Sequence, residues 1–73
     1  MSIDLNERLQ EYLKDARTLL DYGEQAQRHV RDGDLQGACN TISISAYKLS
    51  HLQTEWEGLL EEFERQGVTP GGK

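Results

Sequence analysis

The chain is predicted to be all-α, an antiparallel two-helix hairpin of coiled-coil type that dimerises into a four-helix bundle. Three observations carry that expectation: two long apolar ladders, a short glycine-containing break between them, and apolar stripes too wide for one partner. The first ladder reads Leu5, Leu9, Tyr12, Ala16, Leu19, Gly23, Ala26 and Val30, in alternating steps of four and three. The second reads Leu35, Ala38, Ile42, Ser45, Leu49, Leu52, Trp56, Leu59 and Phe63. Fifteen of these 17 positions are apolar, whereas a 36% hydrophobic composition would place roughly six there by chance.

Helix one is expected over 4–31. Asp4 with Glu7 three residues on resembles a capping box, and Ser2 is a rival cap. Arg28, His29 and Arg31 fall in the last turn, where cations suit the negative end of the helix dipole. In the turn 32–34, Gly33 can take the left-handed conformation that ends a helix, and Asp34 can cap the next one. Helix two is expected over 35–66, ending at Gly67, with 68–73 a flexible tail. So short a turn permits only an antiparallel hairpin. Gly23, Gly37 and Gly58 each cost a helix about 1 kcal/mol relative to Ala. Thr41-Ile42-Ser43-Ile44-Ser45 alternates like a strand, but the ladder on both sides of it predicts uninterrupted helix.

Two facing helices need only the ladder positions. Leu13, Leu20, Cys39, Ala46 and Leu60 widen the stripes to three residues in seven, the width of a helix in a larger bundle. These five are the expected dimer core. Trp56 and Phe63 are expected in the core of the open end, and Cys39 is expected to be a buried structural thiol. Ser45 can satisfy its hydroxyl on a carbonyl one turn back.

Seventy-three residues make one thin domain that buries only about 60% of its unfolded surface, so association is a natural source of stability. A single cysteine excludes an internal disulfide and a zinc-ligand spacing. A net charge of −5, from 13 acidic and eight basic side chains, argues against direct nucleic-acid binding. The first residues show no signal-peptide pattern, and no apolar run approaches the ~18 residues of a membrane span, so a cytoplasmic protein without a membrane partner is expected.

No residue from Leu35 to Tyr47 is charged. Asn40, Ile44, Tyr47 and His51 share one side of helix two there, and together with the acidic Glu57, Glu61 and Glu64 they are the candidate partner-binding residues. Glu55, Glu57, Glu61, Glu62 and Glu64 concentrate at the open end, while Arg28, His29, Arg31 and Lys48 lie nearer the loop, which favours an antiparallel dimer. His51 and Glu55 stand four apart on one helix face, but two ligands do not make a metal site. The acidic stretch is expected to stay exposed and to titrate ordinarily, with no enclosed pocket for acid–base catalysis. No catalytic residue, cofactor or metal is expected.

Three short resemblances can be drawn. Trp56-Glu57-Gly58 resembles the W-x-G tripeptide of small secreted hairpins of the WXG100 type, which carry it in the inter-helix turn rather than deep in helix two. Gly33-Asp34 with Ala38 is similar to helix–turn–helix units of the tetratricopeptide kind, whose helices are about half as long. Gly33-Asp34-Leu35 at the turn also looks like the small subunit of exonuclease VII, over about five residues. None of the three covers enough of the chain to assign a family. The expected role is a non-catalytic protein–protein interaction module, a regulator or adaptor that works as a homodimer. The alternatives are an acidic mimic of nucleic acid that inhibits a basic protein, and an accessory subunit of an enzyme complex.

Overall fold

Among the described residues three helices follow one another, and two of them are one helix with a bend. The computed structural model describes residues 5–71, with α1 at Leu5–Arg31, α2 at Leu35–Ile44 and α3 at Ala46–Arg65. No strand occurs among the described residues. The expected caps Asp4 and Ser2, and the end of the tail at 72–73, lie outside the described residues.

The turn forms for the reasons the sequence suggests. Gly33 adopts φ +79°. Its amide donates to the Val30 carbonyl at 3.0 Å, and the Asp34 amide donates to His29 at 2.8 Å, which makes a Schellman close on α1. The Asp34 side chain then accepts from the Gly37 amide at 2.9 Å and caps α2. His29 Nδ1 lies 3.1 Å from the other Asp34 oxygen. A Cβ at Gly37 would press on both the Asp34 carboxylate and the His29 ring, so a side chain there has to displace them. The other end repeats the device. Gly67 takes φ +83°, its amide donates to Glu64 at 2.9 Å, and the Val68 amide donates to Phe63 at 2.9 Å. Val68, Thr69 and Pro70 then fold over Leu60 and Phe63.

Helix two is not continuous, which corrects the uninterrupted span expected from the ladder. It breaks at Ser45, whose amide is shared between the Thr41 and Ile42 carbonyls at 3.2 and 3.1 Å. The Ser45 hydroxyl donates to Ile42 at 2.7 Å, and Thr41 Oγ1 donates to Gly37 at 2.9 Å. Hydroxyls that bond back to their own helix tighten and bend it, so the alternating segment 41–45 leaves its mark as a bend rather than as a strand.

The molecule measures 50 × 25 × 15 Å. Its smallest dimension is barely more than the 10–12 Å diameter of one helix with side chains, so the hairpin is a single layer. Domains normally bury their apolar faces between two layers. Among the described residues no side chain is fully buried, and the buried apolar ones are Ala26, Ala38 and Leu59.

Candidate functional site

The two flanks of this single layer differ in chemistry, and columns of residues seven apart show why. Down the middle of the hairpin, Leu5, Tyr12, Leu19 and Ala26 meet Ala38, Ser45, Leu52 and Leu59, all buried or half-buried. The column to one side is Arg8, Asp15, Tyr22 and His29 on α1, with Thr41, Lys48, Glu55 and Glu62 on α2 and α3. The column to the other side is Leu9, Ala16, Gly23 and Val30, with Leu35, Ile42, Leu49, Trp56 and Phe63. The hairpin closes with the polar columns turned inward and the apolar columns turned outward.

On the polar flank, Lys48 Nζ donates to Asp15 Oδ1 at 3.0 Å, and Asp15 is only 7% exposed. The lysine holds the Asp15 carboxyl below its ordinary range, and the aspartate raises Lys48 in return. Glu55 sits against the same pair. Burial first, and then the neighbouring Asp15 carboxylate, push its pKa up to about 7. Its Oε1 is buried without a hydrogen-bond partner, as is Nε of Arg8, which borders the same recess. Nearer the open end, Glu62 is 6% exposed and accepts from Arg65 Nη2 at 2.6 Å, Arg65 Nε at 3.1 Å and Gln66 Nε2 at 3.1 Å. The Arg65 bonds hold the Glu62 carboxyl below its ordinary range. Toward the middle, the Tyr22 and Tyr47 hydroxyls lie 3.1 Å apart with their rings edge to face. His51 meets the Tyr47 ring edge to face at 6.0 Å, and Lys48 lies 5.4 Å over it.

One expectation is corrected here. The 55–64 carboxylates do not all stay exposed and ordinary, because Glu55 and Glu62 turn into the hairpin where α1 approaches α3. Asp15, Lys48, Tyr22, Glu55 and Glu62 are not among the predicted site residues. Their signal is the seven-residue repeat 8, 15, 22, 29 and 41, 48, 55, 62, a polar column beside the apolar one.

On the apolar flank the correction is larger. The ladder pattern predicts a stripe that closes the hairpin, yet Leu35 is 69% exposed, Leu49 58%, Ile42 52% and Trp56 49%. Trp56 is therefore not core, and Cys39 is an exposed free thiol rather than a buried one. In the loop half, Leu20 and Cys39 line an open trough of about 950 Å³. Ala16, Gly23, Ala26 and Ala38 form its small-residue floor, and Leu20, Val30 and Ile42 stand around it. A Cβ on Gly23 would meet nothing within 4 Å. In the open half, Leu49 and Trp56 stand out around a smaller notch shared with Tyr12, Leu52 and Gln53.

The predicted residues therefore separate by flank. Leu13, Leu20, Cys39 and Ala46 are exposed and Leu60 is half-buried, all at heptad positions of the apolar flank. Tyr47 and His51 touch each other on the polar flank, with Ile44 exposed beside them. Asn40 is exposed and accepts from Gln36 Nε2 at 3.0 Å. Glu57, Glu61 and Glu64 are exposed on α3. Among the described residues no three His, Cys, Asp or Glu side chains come together as a metal site. No helix among them is long and apolar enough to cross a membrane. No protein-family model, curated protein or solved structure matches the chain.

Proposed function

We propose that this chain is a small non-catalytic protein–protein interaction module, a regulator or adaptor, that works as a homodimeric helical bundle through its apolar flank. One observation carries the reading: a single helical layer holds most of its large apolar side chains on the side its own packing does not use. Its accessible surface is 5639 Å². A compact monomer of 8.3 kDa would expose about 4600 Å². The excess, about 1000 Å², is the scale on which one partner buries surface in a standard protein interface, about 800 Å².

The reading as an acidic mimic of nucleic acid has less support. Glu55 and Glu62 are drawn into the hairpin, which leaves Glu57, Glu61 and Glu64 as a sparse exposed row. The proposal is tested by molar mass in solution from 1 to 200 µM for the wild type and for Leu20→Glu. A concentration-dependent dimer that Leu20→Glu converts to a helical monomer is the expected result. A wild-type chain that stays monomeric throughout overturns it.

A further inference from the structure

We infer that the apolar flank takes a second copy of this chain in antiparallel orientation, with the exposed Leu49 and Trp56 of each copy over the small-residue trough of the other. The inference rests on the interaction-module reading and adds the register. Trough and projecting side chains lie on one flank, at different heights. The trough runs over Ala16–Val30 of α1 and Ala38–Ser43 of α2, toward the loop. Leu49 and Trp56 flank the notch toward the open end. A parallel pair would set trough against trough and bulky side chain against bulky side chain. A two-fold axis across the hairpin instead sets each against its complement, which is the self-matching that an isologous interface needs.

Charge points the same way. Arg28 and Arg31 are exposed at the loop end, and Glu57, Glu61 and Glu64 at the open end. Asp32 and Asp34 offset the two arginines, so antiparallel pairing sets each acidic end against a near-neutral end, whereas parallel pairing stacks the acidic ends together. Such rim charges select orientation more than they add affinity.

The height of the axis follows from the contacts within one hairpin. Asp15 pairs with Lys48 and Tyr22 with Tyr47, so the level of Leu19 and Leu20 on α1 corresponds to the start of α3. An axis there lies midway between trough and notch, and it carries Glu57 of one copy to the level of Cys39 of the other. Both residues are exposed, Cys39 on α2 and Glu57 on α3. Within one chain they are 18 residues apart in sequence, about 27 Å along helical rise. That is far beyond disulfide reach.

The test uses the full chain with Glu57→Cys under mild copper-phenanthroline oxidation. The expected result is a covalent dimer linking Cys39 to the new thiol, abolished when Cys39→Ser is added. Wild type should give none, since its two Cys39 thiols are then separated by the same ~27 Å. Wild-type dimers cross-linked through Cys39 alone would show parallel pairing and overturn the inference. A Leu20-dependent dimer without the Glu57→Cys cross-link would also overturn it, while leaving the proposed function standing. A wild-type chain that is monomeric at 200 µM would remove both.

Discussion

The polar and apolar flanks are built from neighbouring seven-residue columns of the same helices, yet they solve opposite problems. On the polar flank, charged groups are drawn in and paired. Asp15 has Lys48, Glu62 has Arg65 and Gln66, and Tyr22 has Tyr47. On the apolar flank, side chains with nothing to pair stand in the open. Ion pairs withdrawn from water contribute little net stability, but they are demanding about geometry. Apolar area contributes more and demands less. The comparison teaches that this hairpin places its geometric specificity in contacts within the chain and leaves much of its apolar area outside them.

The largest expected effect breaks the comparison outright. Ile42→Glu puts a charge beside the trough in both copies at once and should weaken self-association by on the order of 100-fold or more, since removing a central apolar anchor costs about 1–2 kcal/mol in each copy. Tyr47→Glu, on the opposite flank, should leave the dissociation constant within about threefold; both are read by sedimentation. Equal losses from the two variants would mean that the flanks are not distinct.

The next effect sharpens the polar side. Glu55 has a folded-state pKa near 7, above its ordinary value of 4.5. A raised value means that folding favours the protonated acid. Its contribution is full below about pH 4.5 and is lost as pH rises through 7. Asp15 and Glu62 are lowered and act in the opposite sense, adding stability above the ordinary carboxylate range and losing it in acid. Urea unfolding of the wild type between pH 4.5 and 8 should show a Glu55-dependent decline that Glu55→Gln flattens. An unchanged slope in Glu55→Gln would place the titration elsewhere.

Smaller effects belong to the turn that holds the flanks in phase. Gly37→Ala should cost about 1–3 kcal/mol by crowding Asp34 and His29. Asp34→Ala should cost about 1 kcal/mol by removing the cap. Both are measured by chemical denaturation. Should Gly37→Ala prove neutral, the Asp34–His29 contact would have to be looser than the close approach at Gly37 implies.

Much of the fold was legible in the sequence because helix ends are written locally. Gly33, Asp34 and Gly67 do what their chemistry suggests, and the apolar period brings the helices to within a residue of their observed limits. The bend at Ser45 was legible in part: the hydroxyls of Thr41 and Ser45 were visible, but their effect depends on both bonding backward in the same turn. The direction of the apolar stripe was not legible. Periodicity shows that Leu35, Ile42, Leu49 and Trp56 share a face; it does not show whether that face closes the hairpin or lies beside it. The adjacent polar column decides this through Asp15 and Lys48, whose ion pair spans α1 and α3 and so places their column between the helices. Leu13, Leu20, Cys39, Ala46 and Leu60, expected as a dimer core, fall on one flank of the hairpin.

Asp34 has a consequence that reaches the whole length of the chain. One residue both completes the end of α1 and starts α2, so no slack separates the two helices. Inserting a single residue after Gly33 would advance everything downstream by about 100° around its axis. That is the angle between Lys48 and Leu49, and so between the polar and apolar columns. Tyr47 and Thr54 would then stand where Lys48 and Glu55 now meet Asp15, and Lys48 and Glu55 would move to the outward places of Leu49 and Trp56. The turn thus acts as a phase key, and a one-codon insertion there would turn the paired polar column outward; loss of the Glu55-dependent pH slope in the inserted chain would register the change.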